Sequence, residues 1–166
     1  MPGPLSQIKG ARDELALCDE LSDYESVDVA WVAMVKAANT RPEPNEHRRL
    51  VAVLDQVNAT VVHEILFHPG VDVLLNLQPP LETILTSPHE RLDAERTKRE
   101  MSEIRQLRES DPKGALRALA EIIKRIRNRR AHGFKTPYAP RDQEILGAAA
   151  PVLRAMAMAT IDVVST

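Results

Sequence analysis

Twelve prolines divide the chain into segments of about helix length, and within those segments apolar residues recur every three or four positions. Proline cannot donate the backbone hydrogen bond that a helix interior needs, so each proline cluster marks a break. A spacing of three and four is the period of an α-helix, whereas a half-buried strand alternates at every second residue. Together the two patterns predict an all-α protein.

Four segments show the helical pattern. The apolar faces of the first two are Val27, Trp31, Met34, Val35 and Ala38, then Leu50, Leu54, Val57, Val61 and Ile65. The third begins at Asp111-Pro112, because Asp is a favoured N-cap and Pro a favoured first helical residue. Gly133 is its expected end, since glycine readily adopts the left-handed cap conformation. The fourth runs from Ile145 to Val163, and Pro151 is expected to kink it.

A fifth segment, residues 89–109, carries six acidic and six basic side chains and few apolar ones. This pattern predicts a solvated helix that packs by a narrow stripe, either as an ordinary surface helix or against a partner. The chain has 166 residues, of which 43% are hydrophobic, which fits one globular domain. We therefore expect a single-domain bundle of about five helices over residues 11–166, preceded by a loose leader over residues 1–10.

Composition excludes several classes of function. Cys18 is the single cysteine, so an internal disulfide framework and a cysteine-based zinc site are excluded, and a cytoplasmic setting is expected. Five aromatic residues and a net charge of −2 argue against a base-stacking or nucleic-acid-coating protein. We expect no membrane association, because Pro151 and Arg154 interrupt the most apolar stretch, and no secretory signal, because acidic residues crowd the N-terminal region.

His63 and His68 are the first candidates for a chemical site, because a glutamate follows His63 as in helical zinc motifs. Two zinc ligands on one helix face are four residues apart, whereas these histidines are five apart. We therefore expect neither a metal nor any other cofactor here.

The second candidate is the segment Ile126-Arg127-Asn128-Arg129-Arg130-Ala131-His132-Gly133, at the expected end of a helix. Residues 121–135 contain six basic side chains and one acidic side chain, a local charge of +5 in a chain of −2. Such a patch attracts a polyanion. Neighbouring cations also repel one another on a helix, which a purely structural helix has no need to tolerate.

This segment resembles the signature of the HEPN superfamily (higher eukaryotes and prokaryotes nucleotide-binding domains). The hallmark of that family is an arginine, a polar residue such as asparagine, and a histidine four to six residues later, near a helix end in an all-helical bundle. The motif similarity covers about 12 residues. The helical bundle expected over residues 13–164 resembles the family's fold in its number of helices.

The resemblance implies a metal-independent endoribonuclease whose site forms between the two subunits of a homodimer. Carried over to this chain, it makes His132 the general acid or base, Arg127 the stabiliser of phosphate charge, and Asn128 a residue that orients the site. It also implies contacts to the RNA backbone from Lys124, Arg125, Arg129, Arg130 and Lys135.

One position departs from a subgroup of the family. HEPN toxins that are paired with nucleotidyltransferase antitoxins have a tyrosine two residues after the histidine, and that tyrosine is modified to neutralise the toxin. This chain has Phe134 there, so control by such an antitoxin is in doubt. A nuclease of phage defence or RNA turnover, or a family member that has lost activity, fits equally well.

Two alternatives stay open. Basic residues also collect at helix C-termini because they complement the helix dipole. The patch 124–135 could therefore serve a non-catalytic module that docks a partner protein or RNA. A DNA-binding regulator would need a helix-turn-helix unit, and the sequence shows no convincing one.

Overall fold

The computed structural model describes residues 3–77, 88–131 and 140–166, with side chains described for 95–128 of the second range. Within those ranges the chain forms eight α-helices, one short 3-10 helix and no strand. The helices are α1 (Pro4–Leu17), α2 (Asp23–Ala38), α3 (Glu46–Leu54), α4 (Ala59–Leu66), α5 (Pro69–Asn76), α6 (Pro88–Ser110), α7 (Pro112–Ala131) and α8 (Pro140–Val164). The expectation of an all-α protein is confirmed, whereas the expected count of about five helices is wrong.

The number of helices differs first around residues 50–65, where the apolar spacing predicts one continuous helix. The structure has α3 and α4 there: α3 ends at Leu54, and Asn58 caps the start of α4. The Asn58 side chain accepts a hydrogen bond from the Val61 N–H at 2.9 Å. Lys113 of α7 donates to the carbonyls of Asp55 and Val57, which satisfies backbone acceptors that the helix break leaves open.

The expected loose leader is also wrong for residues 4–10, which form the beginning of α1. Pro4 lies in the first turn, where its missing N–H costs nothing. Ile8, Ala11 and Leu15 step by three and four and are buried in the core, so tertiary packing holds this helix in place.

The start of α7 and the presence of α2 and α8 agree with the sequence analysis. Ser22 and Glu25 form a capping box at the start of α2, which contains the buried Trp31. At the start of α7, Asp111 accepts a hydrogen bond from the Gly114 N–H at 3.2 Å. The expected end of that helix, Gly133, lies outside the described residues. The fourth predicted segment is α8, which contains Pro151.

The core is centred on α8, which packs against α2, α5 and α1. Its buried face includes Ile145, Leu153 and Met156. The crossing of α5 and α8 is close at Gly70, where a Cβ atom would lie 2.4 Å from the Ala148 carbonyl oxygen. A larger residue at position 70 would force these two helices apart.

The length and apolar composition of α8 raise the question of whether this helix could span a membrane. Among the described helices, α8 alone is long and apolar enough to cross a bilayer by length and composition, with a mean hydropathy of 1.4. More than half of that apolar window, 56%, is buried inside the protein. This burial is the pattern of a core helix in a soluble protein.

The charged segment forms the long helix α6, which packs mainly against α7. Thr97, Met101 and Ile104 form a narrow buried stripe, and most of the other described side chains of α6 are exposed. The expected solvated helix is therefore present, and α7 is the element that covers its stripe.

Candidate functional site

Arg127 lies in the last part of α7 and is held by a residue of α2. Its Nε atom donates a hydrogen bond to Oδ1 of Asp28 at 3.0 Å. Both side chains are about one-third exposed, so the pair lies at the rim of the bundle rather than in the core. The guanidinium is thereby fixed in position while part of it still faces solvent.

Asn128 supplies a second contact to the same guanidinium. Its Oδ1 atom lies 3.3 Å from a terminal nitrogen of Arg127 and accepts a hydrogen bond from it. The other terminal nitrogen of Arg127 has no hydrogen-bond partner among the described residues. The structure thus brings together Arg127 and Asn128, two of the three residues expected to be catalytic.

Asp28 is the functional candidate that sequence reasoning missed. It lies 99 residues before Arg127 along the chain, and no spacing rule connects the two. A local signal existed, because Asp28 is an acidic residue within the otherwise apolar run from Val27 to Val35 of α2. An acidic residue beside the buried face of a helix commonly has a cationic partner on a neighbouring element.

The neighbouring Arg125 has different surroundings. One terminal nitrogen of its guanidinium lies 2.7 Å from Glu100 Oε1 of α6, and the other donates to Thr97 at 3.0 Å. Both the Arg125 and the Glu100 side chains are only about 15% exposed. Arg125 therefore ties α7 to α6, and an RNA phosphate would have to displace Glu100 in order to reach it.

The remaining expected site residues are described only in part. Lys124 is partly exposed and hydrogen bonds to none of the described side chains. Arg129 and Arg130 belong to α7, but their side chains lie outside the described residues. His132, Phe134 and Lys135 also lie outside them. The pairing of Arg127 with His132 consequently stays a prediction.

Three other histidines, His47, His63 and His68, make contacts that support the fold. His63 stacks on Phe67 with 4.4 Å between the ring centroids, and the Arg108 guanidinium lies 4.8 Å from the centre of the Phe67 ring. His68 caps α5 by accepting a hydrogen bond from the Gly70 N–H at 2.9 Å. His47 lies 3.3 Å from Glu121 at the surface. Each ring is engaged in packing, in capping or in a surface contact with a carboxylate.

The thiol of Cys18 is a core group. It lies near the backbone oxygens of Glu14 and Ser26, at 3.9 and 3.7 Å. Burial raises the pKa of the Cys18 thiol, and the positive charge of Arg154 opposes this effect only in part. The thiol is therefore protonated near neutral pH and is a poor nucleophile.

Comparison of the chain with models of protein families, with curated proteins and with solved structures gives no match. The resemblance to the HEPN superfamily therefore rests on the motif residues themselves.

Proposed function

We propose that this protein is a metal-independent endoribonuclease of HEPN type that works in the cytoplasm as a homodimer. Arg127, Asn128 and His132 of two copies would form one composite site. RNA is the substrate class, and a toxin or a phage-defence effector is the biological role that such an activity would suit.

The observation that carries the proposal is the way in which Asp28 holds Arg127. An arginine side chain loses considerable rotamer freedom when it binds a phosphate. Asp28 and Asn128 already restrain two nitrogens of this guanidinium, while the third nitrogen has no described partner. A guanidinium that is fixed in advance is well suited to stabilise the charge that develops on a scissile phosphate.

The chemistry assigned to the site balances without a metal. His132 takes the proton from the ribose 2′-hydroxyl, whose oxygen then attacks the phosphorus. The bond between the phosphorus and the 5′-oxygen then breaks. The protonated His132 of the second copy gives its proton to that oxygen. The products are a 2′,3′-cyclic phosphate and a 5′-hydroxyl, and Arg127 stabilises the extra negative charge between these steps.

The surrounding cations would position the RNA. Lys124 is partly exposed beside Arg127 and suits a contact to the phosphate backbone. Arg125 suits this role less well, because Glu100 and Thr97 already engage its guanidinium. The proposal therefore assigns backbone contact mainly to Lys124, Arg129, Arg130 and Lys135.

RNA cleavage in the presence of EDTA tests the proposal, with the chemical ends of the products identified. We expect His132→Ala to reduce the rate about 10²–10⁴-fold, the usual cost of removing one acid–base group, while RNA binding persists. His47→Ala is the matched control, because it removes an exposed imidazole to which the proposal gives no role. Intact RNA after incubation with freshly purified wild-type protein would contradict the assignment.

A specific observation favours a second candidate, a non-catalytic interaction module. Carboxylates from two neighbouring helices pair with Arg125 and Arg127, so the patch is less positive than its sequence suggests. A module of this kind would keep its function in His132→Ala and lose partner binding in Arg129→Glu or Arg130→Glu. The two candidates are thus separated by which substitution removes function.

A further inference from the structure

We propose that the outward face of α1 is a self-association surface, on which α1 of a second copy packs in the antiparallel direction. This surface is separate from the site proposed above, because α1 packs against α2 and α8, whereas Arg127 lies on α7. The inference therefore does not depend on the proposed function.

The outward face, called here the α1 stripe, consists of Leu5, Lys9, Arg12, Asp13, Ala16 and Leu17. The opposite face of the helix is buried in the core. The two leucines of the stripe are among the most exposed large apolar side chains described, at 84% for Leu5 and 54% for Leu17. These two leucines lie near opposite ends of the exposed face of α1.

The charges of the α1 stripe identify a second copy as the occupant. Lys9 comes before Asp13 on this face, and both side chains are exposed. Arg12 already donates to Ser165, and Asp19 already pairs with Arg154, so Lys9 and Asp13 carry the complementarity. Two such helices in antiparallel contact place the basic part of each against the acidic part of the other. A two-fold interface requires this kind of self-complementarity.

One register satisfies both the apolar and the charged residues. A two-fold axis at the level of Ala11, on the exposed side of the helix, sets Lys9 opposite Asp13 of the second copy and Leu5 opposite Leu17 of the second copy. These residues follow one another at steps of four along α1, so they occupy adjacent positions on the exposed side of the helix. A parallel arrangement would instead place like charges together.

A groove beside the α1 stripe provides room for the contact. It lies between α1 and α8, has a volume of about 530 Å³, and is lined by Leu15, Ala16, Ala155, Met158 and Ile161, with Arg12, Asp19 and Arg154 at its edges. Met158 is 51% exposed there.

The first experiment measures molar mass by light scattering during size-exclusion chromatography across a concentration series of the full chain. We expect the wild-type protein to associate, and Leu17→Asp and Leu5→Asp to weaken association at least tenfold, since each buries a charge at the contact. Val73→Asp is the matched control, because Val73 is an exposed apolar residue of α5. Circular dichroism verifies that every variant is folded.

The second experiment uses charge reversal and mixing. Lys9→Glu and Asp13→Lys each put like charges in contact within their own homodimer, so we expect each to associate about tenfold more weakly. A mixture of the two variants restores both attractive pairs in a heterodimer, which native mass spectrometry resolves by mass. A change confined to the helix itself could not be restored by mixing.

Rescue in the mixture, with no effect of Val73→Asp, establishes the α1 stripe as the interface. If a dimer also forms through the Arg127 site, the wild-type protein forms a larger assembly, and the α1 variants reduce the measured molar mass to that of the dimer. The proposal is overturned if the wild-type mass is that of a monomer at every concentration, or if the α1 variants and their mixture associate as the wild type does.

Discussion

The two halves of α7 use their basic residues in different ways. In the first half, Lys113 caps the carbonyls between α3 and α4, and Arg117 contacts both carboxylate oxygens of Asp55 at 3.0 and 3.2 Å. In the second half, cations outnumber acids, and one terminal nitrogen of Arg127 has no hydrogen-bond partner among the residues that the structure describes. Both cations of the first half fasten the helix to its neighbours, whereas the second half contains more cations than Glu100 and Asp28 neutralise. The number of cations alone does not distinguish a structural helix from a binding site. The distinction depends on whether each basic side chain has an acceptor within the protein.

The comparison is tested most strongly by removing one arginine from each half. We expect Arg127→Ala to lower the rate of RNA cleavage about 10²–10³-fold, the usual cost of losing one transition-state contact. Arg117→Ala should leave the rate unchanged, because its ion pair with Asp55 is exposed and lies elsewhere on the helix. Single-turnover cleavage of a labelled RNA measures both. Equal losses in the two variants would remove the distinction between the halves.

A stability measurement tests the structural half. Lys113→Met removes a charged donor from two backbone carbonyls, and we expect the free energy of unfolding to fall by about 1.5–3 kcal/mol. Urea denaturation of the variant and the wild-type protein gives this difference. An unchanged midpoint would mean that water caps the end of α3 equally well.

The carboxylate behind Arg127 provides a finer test. We expect Asp28→Asn to reduce the cleavage rate about tenfold, chiefly through kcat, because the guanidinium loses the charge that positions it. Asp28→Glu should recover part of this loss, since it restores the negative charge. If Asp28 were important only for folding, stability would fall while the rate of the folded fraction stayed constant.

The smallest effect is expected from Lys124→Met on stability. Lys124 has no described hydrogen-bond partner, so we expect a change within about 0.5 kcal/mol. The same substitution should weaken RNA binding and lower its salt dependence, because one phosphate contact is lost. Urea denaturation and a salt titration of binding give the two values, and a large loss of stability would place Lys124 with the structural half of α7.

Much of the fold was predictable because its signals are local. The apolar face of α2 and the start of α7 at Asp111-Pro112 depend on residues within one or two turns. The break at Asn58 also had a local signal, but the regular apolar spacing across it concealed the cap. The beginning of α1 was missed because Ile8, Ala11 and Leu15 form a helix only when the core covers them.

The candidate site was predictable only along α7. The order of Arg127 and Asn128 along the chain indicated the motif, whereas the contact of Arg127 with Asp28 joins residues that only the tertiary fold brings together. The engagement of Arg125 by Glu100 could not be foreseen for the same reason. A charge pattern shows which groups are present, but pairing energies depend on which helices pack together.

The position of Trp31 provides a label-free check that each of these variants is folded. It is the single tryptophan of the chain, and it is buried in α2, the helix that packs against both α1 and α8. Its fluorescence emission should lie at short wavelength in the native protein and shift to longer wavelength when water reaches the indole ring. One optical signal therefore reports the integrity of the core, and a variant that loses activity while keeping this emission has lost chemistry rather than structure.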